Sequence, residues 1–266
     1  MKAWFDAGIN LFNPRFSLDR EQVLANAWHH GLSGMLLISS DIEESELQQA
    51  YALSDPRLYC TAGVHPHQAD QVQADWICRL SSLLQHPSVV AVGECGLDFN
   101  RNFSTPQNQI QVFEAQLQLA SEHNKAIYLH ERDAFTTQYQ MLQRYPGLAG
   151  VAHCFTGDKA QLKAYLDLGL YIGITGWLCD EKRGQSLREA VRYLPLDRLI
   201  LETDAPFLLP KTLVPKPKSS RNEPAYLPEI ATQFANLTGY SLDDIAAYSR
   251  KNSQVLFQIT ADEYPL

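Results

Sequence analysis

A closed (β/α)8 barrel of the TIM type is the α/β fold this sequence predicts, and three observations predict it. Short apolar runs alternate with longer amphipathic segments, there are eight such runs, and each reads as near-continuously hydrophobic, as parallel strands covered on their outer side do. A length of 266 residues without a shift of composition fits one barrel domain over residues 1–266. A doubly wound open sheet is the rival, but no Gly-rich phosphate turn follows the first run.

Taken in order, the expected strands are 3–9 (AWFDAGI), 34–38 (GMLLI), 58–64 (LYCTAGV), 89–94 (VVAVGE), 126–130 (AIYLH), 149–153 (AGVAH), 170–174 (LYIGI) and 198–203 (RLILET). The first helical segment, SLDREQVLANAWHHG, opens on Ser17, carries Asp19 and Glu21 in its first turn and stops at Gly31. Others span 42–53, 72–86, 106–122, 134–145, 158–168 and 185–193, with Pro106 suited to a first helical turn. Prolines and basic residues crowd 208–224, which reads as an extended surface loop after the eighth strand.

A formal charge of −8 excludes an overall basic surface that grips nucleic acid non-specifically, so an anionic substrate requires local positive charge or a metal. The N-terminus lacks the apolar core of a secretory signal, and no run approaches the roughly 18–20 apolar residues of a membrane span. Five cysteines without a C-x-x-C pattern fit the reduced thiols of a cytoplasmic protein. With no heptad repeat, a monomer without an obligate protein partner is the expectation.

In such a barrel the chemistry sits at the C-terminal strand ends, and those ends carry Asp6 and Asn10, His65 and His67, Glu94, His130, His153 and Asp204. His29, His30, His86 and His123 fall in last turns of expected helices, where an imidazole simply suits the helix dipole. His130 and His153 each end a short apolar strand. Alone, either is a core histidine; together with Glu94 they bring a carboxylate and two imidazoles to one mouth, with Asp204 able to add a second carboxylate. The charge of Glu94, at the end of a run that reads as buried, is then neutralised by a divalent metal. Strand alternation turns Cys95 and Cys154 away from that mouth, to pack under the helices.

The stretches GVHPH (63–67), GECGLDF (93–99), LH (129–130), HCFTG (153–157), GITGW (173–177), ETDAP (202–206) and RNEP (221–224) resemble the motifs of the TatD-type metal-dependent deoxyribonucleases, from about residue 5 to 257. The resemblance implies a barrel of the metallo-dependent hydrolase type and a Mg2+-type divalent metal, with Mn2+ the alternative and Zn2+ disfavoured. It also implies a cytoplasmic 3′-to-5′ exonuclease acting on single-stranded DNA and RNA, with a role in DNA repair. One departure stands out. Most of the wider family reads D-x-H-x-H at the first strand, where this chain has Asp6-Ala-Gly8-Ile-Asn10. Two ligands of the more buried metal are therefore missing, which argues for a weakly held metal recruited with substrate; a bacterial subgroup of the family shares this departure.

On these positions Glu94, His130 and His153 hold the cation. Asp204 is both a candidate ligand and the candidate group that orients or deprotonates water, two roles that sequence does not separate. His65 is placed to donate to the scissile phosphate, with His67 either its helper or a loop residue orienting the turn after Pro66. Arg101 and Asn102 lie between Phe99 and Phe103, and Lys211, Lys216, Lys218, Arg221 and Asn222 lie in the loop after the eighth strand, a candidate rim for phosphates and unpaired bases. Trp177 either stacks a base or braces its own loop. Alternatives from other classes are a metal-dependent deacylase of misacylated tRNA, a small-molecule amidohydrolase, and a non-catalytic nucleic-acid scaffold.

Overall fold

The computed structural model describes residues 3–259; residues 1–2 and 260–266 of the expected domain lie outside the described residues. Eight parallel strands form one sheet in sequence order: β1 (Trp4–Ile9), β2 (Leu32–Leu37), β3 (Leu58–Ala62), β4 (Val89–Asp98), β5 (Ala126–Arg132), β6 (Gly150–Ala152), β7 (Tyr171–Ile174) and β8 (Leu199–Leu201). Every expected run is a strand. Between them lie α1 (Arg20–His29), α2 (Ile42–Ala52), α3 (Trp76–Leu83), α4 (Pro106–Glu122), α5 (Phe135–Leu142), α6 (Lys159–Asp167) and α7 (Gln185–Ala190). Two helices beyond the expected set, α8 (Leu227–Thr238) and α9 (Leu242–Leu256), complete the outer ring. None of the described helices is long and apolar enough to cross a membrane.

Local chemistry sets the helix starts. The Thr105 hydroxyl accepts from Asn108 N and Pro106 fills the first turn of α4, while Asp158 and Gln161 cap α6 reciprocally. The outer core packs helix residues such as Leu80, Phe113, Leu117 and Phe234 against the backs of the strands. A second cluster fills the barrel, where Phe5, Leu36, Tyr59, Val90 and Tyr171 meet Leu256, Phe257 and Ile259 at the C-terminal end of α9. Each fully buried Leu or Phe contributes about 1.5–3 kcal/mol relative to exposure. Packing of that kind offsets the buried charge gathered at the mouth.

The seam between β8 and β1 is irregular. An isolated bridge joins Ile9 to Ala205, Asn10 N donates to Ala205 O at 2.8 Å, and Asp204 N donates to Gly8 O at 2.8 Å. Fully buried Asp6 completes it, accepting from Thr203 N at 2.8 Å and from the Thr203 hydroxyl at 2.6 Å. β8 stops at Leu201, short of the expected 203, and three residues on Asp204 takes a left-handed φ of 53°, which no strand continues.

Burial pushes the Asp6 carboxyl up to about 7, against the pull of its hydrogen bonds from Thr203 and Gly8. Unfolded, the group returns to the ordinary carboxylate range of about 4. Between those values the folded chain keeps a proton that the unfolded chain has shed, so this group's contribution to stability falls as pH rises from about 4 to about 7. Asp6→Asn, which imitates the protonated form, removes that dependence. Urea unfolding is therefore expected to give a wild-type-minus-variant difference in stability that declines across this window and then levels; a flat difference refutes the assignment.

Strand ends that outrun a neighbouring strand are held from the helices as well. β4 continues to Asp98, beyond the expected end at 94 and beyond its last pairing with β3 at Val92. Gln109 of α4 accepts from Asp98 N at 2.9 Å and donates to Asp98 O at 3.1 Å, and Gln138 of α5 accepts from Leu97 N at 3.0 Å. Gln116 of α4 makes the same double contact with Val64, at 2.8 and 3.0 Å, just before His65. Gln48 of α2 donates to Ile38 O at 2.8 Å. All four glutamines are fully buried, and they satisfy backbone groups that no neighbouring strand reaches.

Candidate metal centre

At the C-terminal mouth the side chains meet around one oxygen. Glu94 Oε1 lies 2.8 Å from His130 Nδ1, 3.5 Å from His65 Nε2 and 3.5 Å from His153 Nε2. The barrel thus brings together Glu94, His130 and His153 from three strand ends, with His65 from a fourth. Asp204 closes the group from beyond β8, its Oδ1 accepting from Asn10 Nδ2 at 2.8 Å. Asn10 therefore serves the site by holding Asp204.

Three polar residues that strand-end reasoning missed support this ring. Asp98, on the same face of β4 as Glu94, has its Oδ2 2.6 Å from His67 Nε2 and 3.4 Å from His130 Nε2. Glu202, fully buried two residues before Asp204, places Oε2 2.9 Å from His153 Nδ1, and its Oε1 accepts from Cys154 N at 2.6 Å. Tyr128, two residues before His130, donates its hydroxyl to Glu202 and lies 2.9 Å from His153 Nδ1. Carboxylates behind imidazoles fix ring orientation and leave the far nitrogen toward the mouth, the usual support of a ligating histidine. Alternation carries two of these signals, at i+4 from Glu94 and i−2 from His130, whereas Glu202 lies past the end of β8, where the left-handed turn at Asp204 breaks the rule.

The same pair explains the departure at the first strand. A side chain on Gly8 would run into the Tyr128 hydroxyl, Glu202 Oε2 and Ile38 Cδ1. Tyr128 and Glu202 fill the room a histidine at position 8 would need.

Electrostatics follow from burial and charge. Burial draws the His65 imidazole down to about 4, so it stays neutral. Its Nδ1 accepts from His67 N at 3.1 Å, which puts the ring proton on Nε2, facing Glu94. Burial also opposes charge on His130, but the carboxylates of Asp98 and Glu94 outweigh it and hold the ring at about 9. For His153 the carboxylates of Glu202 and Glu94 likewise overcome burial, to about 10. Against burial, the surrounding imidazoles hold Glu94 well below the carboxylate range. Burial and the charge of Glu94 and Glu202 lift Asp204 to about 7, even with His153 nearby.

A divalent cation fits this donor set. His130 Nε2 is buried with only the long 3.4 Å contact to Asp98 Oδ2, and among the described residues potential ligand atoms cluster in two groups, His65, His67 and His130 in one and His153, Cys154 and Asp204 in the other, the atoms of each group lying within 4.8 Å of one another. Imidazole and carboxylate donors suit a borderline or hard divalent ion.

Several expectations are corrected. Cys154 belongs to the mouth: β6 ends at Ala152 and Cys154 adopts a left-handed φ of 44°, so alternation no longer applies, and its sulfur lies 3.5 Å from the Thr175 hydroxyl. Cys95 is buried away from the mouth as expected. Asn222 is fully buried and donates to Thr203 O at 2.9 Å, so it braces the seam and is out of a substrate's reach. Arg221 is pinned by Asp19 at 2.8 Å and Glu223 at 2.7 Å, and Lys211 pairs with Asp180 at 2.6 Å. Asn102 turns its amide onto Phe99 O at 2.8 Å and so shapes its own loop. Arg101, Lys216 and Lys218 are exposed on the expected loops.

The family model described as TatD related DNase matches residues 5–258. The protein named 3′-5′ ssDNA/RNA exonuclease TatD of Erwinia amylovora is 49% identical over 258 residues, covering 95% of this chain and 99% of that protein. Its namesake from Salmonella typhimurium is 47% identical over 259 residues, covering 96% and 99%. Among solved structures, a TatD homologue from Escherichia coli K12 matches with a TM-score of 0.89 at 27% identity, covering 97% of this chain and 98% of that one.

Proposed function

This chain belongs to the TatD-related DNase family, and from that premise we propose that it is a 3′-to-5′ exonuclease that hydrolyses phosphodiester bonds of single-stranded DNA and RNA with a divalent metal, Mg2+ before Mn2+. The observation that carries the reading is the convergence of Glu94, His130, His153 and Asp204 on one barrel mouth, with His65 beside them. The chain acts as one barrel domain and a monomer in the cytoplasm, trimming 3′ ends in DNA repair.

Glu94, His130, His153 and Asp204 would hold the cation. When bound, such a cation polarises a phosphate oxygen and lowers the pKa of water. The chain's own residues supply the rest. His65, neutral with its proton on Nε2, donates to the scissile phosphate without adding charge. Asp204, held by Asn10 Nδ2 at 2.8 Å, is also the carboxylate placed to orient the attacking water or take its proton. Asp98 aims His67, and Glu202 fixes His153 in one orientation throughout.

The test uses metal-stripped protein and a single-stranded oligonucleotide labelled at its 5′ end, with Mg2+ or EDTA added. A Mg2+-dependent ladder that shortens one nucleotide at a time is the expected result. Absence of cleavage, together with deacylation of misacylated tRNA by the same preparation, overturns the exonuclease reading.

A further inference from the structure

We propose that the cavity beside the metal centre binds the unpaired nucleotide next to the scissile phosphate, with Trp177 stacking its base and Arg132 holding its phosphate. The inference rests on the exonuclease reading above and adds the subsite that selects an unpaired end. The cavity, about 490 Å³, opens at the ends of β4 to β7, the strand ends that carry Glu94, His130 and His153. Its walls continue directly from the site: Phe99 follows Asp98, and Arg132 is two residues beyond His130. The volume falls in the range of about 300–1,000 Å³ that takes one small ligand, room for a nucleotide but not for a base pair with its second backbone.

Its chemistry matches that occupant. Phe99, Phe135 and Trp177 are half-buried and border the cavity, and a base stacks on such faces without regard to its identity. The Arg183 guanidinium lies 4.5 Å from the Trp177 ring centroid and so covers one face of the indole. Arg221, Arg183 and Lys211 are engaged in ion pairs, whereas the exposed guanidinium of Arg132 makes no hydrogen bond or ion pair among the described residues. A planar fork of donors left uncommitted at a catalytic mouth is suited to phosphate. The two carboxylates on the cavity wall are already engaged, Glu131 by Ala134 N at 2.8 Å and Asp133 by Asn100 Nδ2 at 2.6 Å. Discrimination against paired ends then comes from the size of this cavity, and indifference to base identity from its aromatic walls.

Two short 5′-labelled oligonucleotides, identical except that one has an abasic 3′-terminal residue, test this by fluorescence anisotropy with the full chain in EDTA and by cleavage with Mg2+. The abasic end is expected to bind about tenfold more weakly, as the loss of one stacked base requires. Trp177→Ala should equalise the two ligands. Arg132→Met, which keeps the apolar stem, should weaken both about tenfold and reduce the slope of log K against log salt by about 0.7. Equal binding of the two ligands by the unaltered chain, with an unchanged salt slope in Arg132→Met, overturns the cavity assignment while normal Mg2+ cleavage leaves the exonuclease reading standing. End discrimination without any cleavage has the opposite meaning, and a chain that neither binds nor cleaves either oligonucleotide overturns both.

Discussion

Glu94→Gln is expected to reduce Mg2+-dependent hydrolysis by at least about a thousandfold, equivalent to about 4 kcal/mol of lost transition-state stabilisation, while the barrel stays folded. The carboxylate faces His65, His130 and His153 at once. Glutamine keeps its size and still offers an oxygen to His130 Nδ1, so packing is unchanged; what disappears is the negative charge. A cation then meets two imidazoles with one carboxylate fewer, and its affinity falls with the chemistry. Circular dichroism should report a native spectrum and a melting temperature within a few degrees of the parent, while a metal titration reports weakened binding. Activity retained at the parent level removes Glu94 from the site.

The second large effect is expected at Glu202, which sits out of reach of solvent and accepts from Cys154 N and the Tyr128 hydroxyl while facing His153 Nδ1. Glu202→Ala leaves those donors unpaired around a new void and removes the counter-charge of a buried imidazole. Breaking a buried pair of this kind costs about 3–5 kcal/mol. Glu202→Gln keeps the shape and some of the acceptors, so its main effect is a loosened His153, felt as metal affinity lower by about 10- to 100-fold and partly restored at high metal concentration. Tyr128→Phe is the contrast, since it removes a single hydrogen bond worth about 1 kcal/mol and leaves the carboxylate in place. Denaturant unfolding and a metal titration on the three variants separate these outcomes. Parental stability in Glu202→Ala is the result that contradicts the argument.

The strands were legible because each is a compact apolar run between turn signals, and the mouth because its polar residues sit where those runs stop. Glu94, His130, His153 and Asp204 are brought together from positions far apart in sequence by that rule alone. The rule was blind one pleat deeper. Tyr128 and Glu202 lie two residues inside the ends, and Asp98 lies four beyond Glu94, so a search confined to the last residue of each run passes over all three. Alternation also fails where the backbone leaves the extended region, which is why Cys154, with its positive φ, turned into the mouth. Surface roles were the least legible part. Arg221 and Lys211 look like rim cations in sequence, but Asp19 and Asp180 from distant parts of the chain already hold them, with Glu223 joining at Arg221, and no local pattern announces a long-range ion pair.

The four buried glutamines carry a consequence for how the catalytic mouth moves. Backbone groups of Ile38, Val64, Leu97 and Asp98 are bolted to α2, α4 and α5 rather than to a neighbouring strand. The rim on this side of the mouth is thus tied to the outer helices as well as to the sheet, like a lens held in an adjustable mount. A half-ångström slide of α4 would carry Val64 with it and pull on Asp98, which the β5 ladder also holds opposite Arg132, and so shift the aim of His65 and His67. Focus at the phosphate is in that sense a property of the helical shell, and a change on its far side can blur it without touching a residue of the mouth.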